Sequence, residues 1–261
     1  MPKILQMKDK SDDFVIKKDP LPSIPFRGSI VGKSGSGKTG CLGAILLLPE
    51  FYGNDFKGED IYIFSPMKND FKMKTIIEYK EIPQENLVDN FDDGRLGELY
   101  DELVEQFEED IRDGMKPSQK LIILDDLSYG NIRKPFNNLS RVMCNGRKQN
   151  ISVLITGQLY THLSPCVREN SSFFIIYRTS LKNLELIESE HNYLKSKKMF
   201  LKMFNENCPE RHNFLVINYG AKFSDMYLDE SFEVIDQLKL KSIKTLLIQF
   251  KLVLKLFNTS T

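Results

Sequence analysis

Residues 32–39 read Gly32-Lys33-Ser34-Gly35-Ser36-Gly37-Lys38-Thr39. The segment fits GxxxxGK[ST] at every fixed position. The apolar run before it, PFRGSIV at 25–31, predicts a strand. The run after it, KTGCLGAILLL at 38–48, predicts a buried helix. A strand, a Gly-rich turn and a helix in that order form a phosphate cradle. The glycines let the backbone close around phosphate with its N–H groups inward. The helix N-terminus adds partial positive charge. Lys38 reaches the β- and γ-phosphates of ATP and Thr39 ligates Mg²⁺. Gly32, Lys33, Ser34, Gly35, Ser36, Gly37, Lys38, Thr39 and Gly40 are therefore the candidate nucleotide-binding residues.

A phosphate cradle needs an acid at the end of a buried strand to hold the metal. Residues 120–126, KLIILDD, supply one. The run is apolar without alternation, as in a strand covered on both faces. Asp125 is the candidate Mg²⁺ carboxylate. Asp126 is the candidate to orient or deprotonate the attacking water, although many ATPases carry the longer Glu there. Gln158 ends the next apolar strand, ISVLITGQ at 151–158, and its amide suits a γ-phosphate sensor. Phosphoryl transfer also wants an extra cation. Arg141, Arg147 and Arg168 are the candidates, acting within their own subunit or on a neighbour's site.

Working outward, EDIYIFSP (59–66), SSFFIIYR (171–178) and HNFLVINY (212–219) predict three further strands. Helices are expected over 97–113, 135–146 and 181–204. Within the first of these, Leu99, Leu103, Phe107 and Ile111 recur every four residues, an amphipathic pattern. Apolar strands separated by helices predict an α/β fold with a mainly parallel, helix-covered central sheet, a P-loop NTPase of the additional-strand, RecA-like type. The expected division is an N-terminal arm at 1–24, an ATPase domain at 25–225 and a helical, basic tail at 226–261.

The chain of 261 residues carries 36 basic and 36 acidic side chains, a net charge of zero. That excludes a generally basic nucleic-acid coat protein and an acidic-tail protein. The zero hides polarity along the chain. Residues 78–113 are dominated by Asp and Glu, 131–212 lean basic, and from Lys239 onward there are five lysines and no acid. These runs read as solvated faces, or as two surfaces suited to head-to-tail assembly. The four cysteines lack CxxC spacing and read as free thiols. Cys208 and His212 stand four apart without a second ligand pair, so zinc is not expected. The charged N-terminus lacks the apolar stretch of a signal peptide. No apolar run reaches the ~18 residues of a membrane span.

PFRGSIVGKSGSGKT (25–39), IYIFSP (61–66), LIILDDL (121–127), NGRKQNISVLITGQLYTHL (145–163) and VRENSSFF (167–174) occur together in this order. With them the chain resembles the poxvirus-type genome-packaging ATPases of double-stranded DNA viruses, in the FtsK–HerA division of P-loop ATPases. Relatives occur in virophages, giant viruses and virus-like transposons. The resemblance spans about residues 25–219. It implies an ATP-driven motor that moves double-stranded DNA into a preformed capsid, as a ring of subunits. It implies capsid or portal-side partners and a place at the virus assembly site in the host cytoplasm or on the virion. By position, Lys38 and Thr39 are the P-loop pair, Asp125 and Asp126 the acidic pair, and Gln158 the strand-end glutamine. Arg147 matches the Arg of a GRH-like segment, and Arg168 the Arg after the following helix. Lys148 stands where relatives often carry His, which leaves that position without a group titrating near neutral pH.

Rival readings meet specific objections. A GTPase needs a guanine-reading [NT]KxD segment after a strand, and none occurs. A small-molecule kinase needs a lid and an acceptor pocket. A scaffold with a degenerate P-loop fits poorly with Lys38, Thr39 and Asp125 all present. A strand-separating DNA helicase shares the same core and is the nearest rival.

Overall fold

The computed structural model describes residues 13–126 and 137–236. An eight-stranded sheet runs through the described chain in the order β10-β9-β8-β3-β7-β6-β4-β5. Its strands are β3 (Arg27–Val31), β4 (Ile61–Phe64), β5 (Leu87–Val88), β6 (Lys120–Leu124), β7 (Ile151–Gly157), β8 (Phe173–Tyr177), β9 (Phe214–Asn218) and β10 (Tyr227–Leu228). The six from β8 to β5 are parallel, and β9 and β10 add two antiparallel strands at one edge.

The position of β7 decides the site. It pairs with the strand before the glycine turn on one side, Val31 opposite Gly157. On the other side it pairs with the acidic strand, Leu124 opposite Ile155. All three strands therefore end on the same rim. Helices α1 (Lys38–Leu47) and α2 (Phe71–Tyr79) cover one face of the sheet. There Ile30, Leu121, Ile123 and Leu154 pack against Leu42, Ile45, Met73 and Ile76. Helices α3 (Asp93–Arg112), α4 (Asn137–Asn145), α5 (Pro165–Asn170), α6 (Leu181–His191) and α7 (Lys197–Asn207) follow in the chain. Against the other face Ile122, Leu124, Val153 and Ile155 meet side chains such as Leu99, Leu103, Val142, Ile187 and Phe204. Alternate residues of one strand thus serve opposite cores, which explains why β6 and β7 read as unbroken apolar runs.

Several expectations change. The stretch expected as an arm contains β1 (Ile16–Lys18) and β2 (Leu21–Ile24), paired antiparallel. Leu21 and Ile24 are buried in the α1-side core, which holds residues 16–24 on the domain, while 1–12 lie outside the described residues. The tail expected to be helical from 226 begins instead with β10, whose Tyr227 and Leu228 are fully buried against the sheet. Residues 237–261 of that tail, and the start of the helix expected at 135, lie outside the described residues.

The helix expected over 181–204 is two helices. Asn192 is extended and its side chain accepts from the Leu194 N–H at 2.8 Å, while Ser196 caps α7 by accepting from the Met199 N–H at 3.3 Å. Both residues offer the backbone hydrogen bonds that compete with a continuing helix. Helix α3 starts earlier than expected, at Asp93, capped by Asp92. It also leaves the core before its end, since Leu96, Leu99, Tyr100 and Leu103 are buried while Ile111 is 40% exposed. Among the described residues, no helix is long and apolar enough to cross a membrane.

Candidate active site

The turn between β3 and α1 is built on two left-handed glycines, Gly35 at φ 71° and Gly37 at φ 108°. A Cβ at Gly35 would displace the Arg211 guanidinium, 2.1 Å away, and the left-handed backbone there strains any other residue. Gly37 is the N-cap of α1, and the helix starts at Lys38. Lys38 Nζ donates to the Gly32 carbonyl at 2.7 Å and to that of Lys33 at 3.3 Å. The ammonium lies folded over the loop it follows. Burial lowers its pKa, and the Asp126 and Asp125 carboxylates oppose that.

Asp125 follows β6 and is 8% exposed. Two hydroxyls hold it. Thr156 Oγ1 donates to its Oδ1 at 2.6 Å and Ser65 Oγ to its Oδ2 at 2.8 Å. These donors come from the two strands flanking β6, so sheet order fixes the carboxylate. Asp126 turns away from the strand in the left-handed region, at φ 49°, which Asp tolerates better than most residues. Its N–H donates to Thr156 Oγ1 at 2.9 Å. Gln158, one residue past β7, donates from Nε2 to Asp126 Oδ2 at 3.0 Å. Asp126 and Gln158 are thus coupled to each other across the strand ends.

Ser34, Gly35, Gly37, Lys38 and Thr39 face Asp125, Asp126 and Gln158 across a cleft of about 400 Å³. That volume lies in the range of small-molecule sites. The groups present suit a triphosphate with its metal. They comprise a loop of backbone N–H groups, an ammonium, a hydroxyl and a buried, oriented carboxylate. The Ser36 hydroxyl within the loop is buried without a hydrogen-bond partner among the described residues.

The arginines are elsewhere. Arg147 precedes β7 and Arg168 precedes β8, whereas the cleft lies where these strands end. Seven residues of β7 place the two rims about 20 Å apart. Arg147 and Arg168 instead line a separate cavity of about 460 Å³ with Arg27, Glu190, His191 and Tyr219. Neither arginine lines the cleft of its own subunit. The two also differ. Arg168 is tied down, donating from Nε to Glu190 at 3.0 Å and from Nη1 to the Leu163 carbonyl at 2.8 Å. Arg147 is exposed and makes no hydrogen bond or ion pair with the described residues. Arg141 is paired with Asp101 at 2.7 Å on the α3–α4 surface.

Four contributors are absent from the sequence reading. Ser65 and Thr156 hold Asp125. Arg211 and His212, from the turn before β9, brace the loop from outside. Arg211 Nη2 donates to the Ser34 carbonyl at 2.8 Å, and His212 Nδ1 meets that of Ser36 at 3.0 Å. Cys208 is buried under the sheet and separate from His212's loop contact. The antiparallel direction of β9 carries Arg211 and His212 to this rim, and no local signal in the sequence announces it.

Residues 14–255 match the model of the family described as Poxvirus A32 protein. Among solved structures, the chain is similar to the genome packaging NTPase B204 from Sulfolobus turreted icosahedral virus 2 in its complex with AMP. The identity is 13%, with 78% of this chain and 96% of that chain covered, at a TM-score of 0.55. The DNA-packaging ATPase B204 from Sulfolobus turreted icosahedral virus is similar at 14% identity, covering 79% and 97%, with a TM-score of 0.53. EssC (ATPases 2 and 3) from Geobacillus thermodenitrificans matches at 14% identity, covering 82% of this chain and 40% of that chain, with a TM-score of 0.51. No curated protein sequence matches the chain.

Proposed function

The chain belongs to the poxvirus A32 protein family, and from that premise we infer that it is a genome-packaging ATPase, a motor that spends ATP to move viral double-stranded DNA into a preformed capsid. The observation that carries the reading is the convergence of Lys38, Asp125, Asp126 and Gln158 on one cleft, in a chain whose fold is that of the packaging NTPase B204.

In this reading the backbone of 32–39 and Lys38 hold the β- and γ-phosphates. Thr39 and Asp125 hold Mg²⁺, which supplies charge neutralisation on the phosphates when bound. The hydroxyls of Ser65 and Thr156 keep Asp125 oriented toward it. Asp126, one methylene shorter than the usual Glu, is set by its left-handed backbone and its Gln158 contact to polarise the attacking water. Arg147 serves a neighbour's cleft in a ring, because its own cleft lies on the opposite rim. DNA, met through sequence-independent phosphate contacts, and the capsid's portal side are the partners. The assembly site in the host cytoplasm is the place of action.

The test is the ATPase rate of the full chain with and without double-stranded DNA, alongside the mass of the assembly. Stimulation by duplex DNA in a multimer is the expected result, and Lys38→Ala should abolish turnover. A DNA-indifferent monomer would overturn the motor, and single-strand stimulation with strand separation would indicate a helicase. A Lys38→Ala protein that hydrolyses ATP normally would overturn the cleft itself.

A further inference from the structure

The cleft accounts for ATP but not for how the chain meets DNA. The rim opposite the cleft carries a pair of exposed aromatic rings. Tyr193, in the turn between α6 and α7, and Phe223, in the turn after β9, are 46% and 59% exposed. Their rings meet edge to face, 5.6 Å apart. Large rings left in water together mark a contact surface. Tyr193 is exposed yet held in place. Its N–H donates to the hydroxyl of the buried Tyr227 at 3.0 Å, and its ring lies edge-on against Tyr219 at 6.0 Å. A ring already fixed loses little conformational freedom when a partner covers it.

Lysines frame the pair. Lys195 and Lys198 follow Tyr193, and Lys222 precedes Phe223, all three exposed. Lys197 and Lys202 nearby pair with Glu185 and Glu206, whereas Lys195, Lys198 and Lys222 form no ion pair with a described residue. The neighbouring carboxylates have local partners. Glu188 accepts from Asn192, Glu190 from Arg168 and Asp225 from Ser224. The charge left to meet a partner is therefore positive.

We propose that Tyr193, Phe223, Lys195 and Lys222 form a surface that grips the backbone of duplex DNA. The proposal rests on the motor reading and names where its DNA is held. Lysine and tyrosine are among the side chains that contact phosphate and sugar, and such contacts carry no sequence information. A motor that moves along any sequence needs contacts of that kind. Flat rings beside the lysines suit the apolar faces of the deoxyriboses between the phosphates. The surface also leaves Arg147 free for a neighbour's cleft. β9 stands three strands from β7, so the turn after β9 lies about 14 Å along the rim from the start of Arg147's strand. A chain of hydrogen bonds joins the surface to the cleft. Tyr219, against Tyr193, bonds His191, and His191 bonds Tyr160, which stands two residues past Gln158.

The test measures the affinity of the full chain for a DNA duplex of arbitrary sequence over a range of salt, with Mg²⁺ and a non-hydrolysable ATP analogue present. Lys195→Ala combined with Lys222→Ala should lower the slope of log affinity against log salt by about two, one for each lost phosphate contact. Lys195→Arg combined with Lys222→Arg should keep the wild-type slope. Phe223→Ala should weaken duplex binding and leave the slope unchanged. Wild-type slope and affinity in the double Ala variant would overturn the surface while leaving the motor reading intact. A matching loss of Mg²⁺-ATP affinity in that variant would overturn it too, since the lysines would then act on the fold. A smaller assembly with unchanged duplex affinity would assign the patch to a subunit contact instead. A wild-type chain that binds no duplex would sink the motor reading itself, and the surface with it.

Discussion

Thr156 shows how one hydroxyl links the parts of the site. It donates to Asp125 Oδ1 and accepts from the Asp126 N–H, so the two neighbouring aspartates at the end of β6 share one anchor. Replacing it with Val preserves the strand's shape and removes both contacts. Asp125 then keeps Ser65 as its side-chain donor among the described residues, and the Asp126 N–H loses its bond to Thr156. Each lost hydrogen bond costs about 0.5–1.5 kcal/mol, so Thr156→Val should lower the melting temperature. A catalytic group displaced by about 1 Å can cost about a hundredfold in rate, and kcat should fall on that scale with a smaller change in KM. Steady-state ATPase kinetics beside thermal unfolding would check this, and an unchanged kcat would show that Thr156 does not set the acids. The division between legible and hidden residues follows from the same geometry. Lys38, Thr39, Asp125, Asp126 and Gln158 could be read because each sits in or beside a turn that ends a strand. Ser65, Thr156 and Arg211 could not, because each matters only once strands distant in sequence are neighbours.

At the scale of elements, the sequence marked strands better than helices. Six of the sheet's eight strands are apolar enough to stand out, but β5 is two half-buried residues and β10 two residues in a stretch expected to be helical, and both escape notice. Helix α2 was legible in principle, through Asp70 as N-cap followed by Met73 and Ile76 on one face. The break between α6 and α7 is not a matter of hydrophobic period at all, since both helices keep their apolar stripes through it. What holds that break is a polar cluster. His191, at the end of α6, bonds the Tyr160 hydroxyl through Nε2 and the Tyr219 hydroxyl through Nδ1, while Tyr160 also donates to Glu190. Arg168 of α5 pairs with that Glu190. The cluster therefore ties together α5, α6, the turn after β7 and the turn after β9. Burial pushes the His191 pKa down from 6.5 to about 4, Glu190 opposes the shift, and Arg168 adds to it. Because the folded value lies below the unfolded one, the unfolded chain binds more protons between pH 4 and 6.5. Stability should therefore be full above that window and fall as pH drops through it, by up to about 1.4 kcal/mol per unit from this one group. Urea unfolding between pH 4.5 and 7 should show a steeper decline for the wild type than for His191→Phe, which keeps the ring and loses the titration. Parallel curves would mean that folding leaves the His191 pKa where it lies in the unfolded chain.

Across the whole molecule, the two rims of the sheet carry the groups that the proposed ring would bring together. One rim holds Lys38, Asp125, Asp126 and Gln158; the other holds an exposed Arg147 beside Arg27, whose own pKa is lowered by burial and by Arg147. A like-charged pair held close is poorly satisfied alone and is better placed against an anion. In the proposed ring, subunits stacked head to tail would bring the arginine rim of one against the phosphate rim of the next, and a heterologous contact of this kind closes when the rotation permits. The zero net charge then has a structural reading, since a ring made of such contacts needs both signs on each subunit. The arrangement makes a strong demand on mixtures. Arg147→Ala should retain ATP binding and lose turnover, and Lys38→Ala should lose both. Mixed in equal amounts before assembly, the two inactive proteins should regain activity. Random assembly pairs an intact cleft with an intact Arg147 at about a quarter of the contacts, so the mixture should recover up to about a quarter of the wild-type rate, with less if neighbouring sites must fire in turn. Arg168→Ala should behave differently, losing stability through its broken Glu190 pair and gaining nothing from mixing. Recovery by Arg168→Ala and not by Arg147→Ala would exchange their roles. Silence from both mixtures, with rings shown to contain both subunits, would remove the trans arginine from the mechanism.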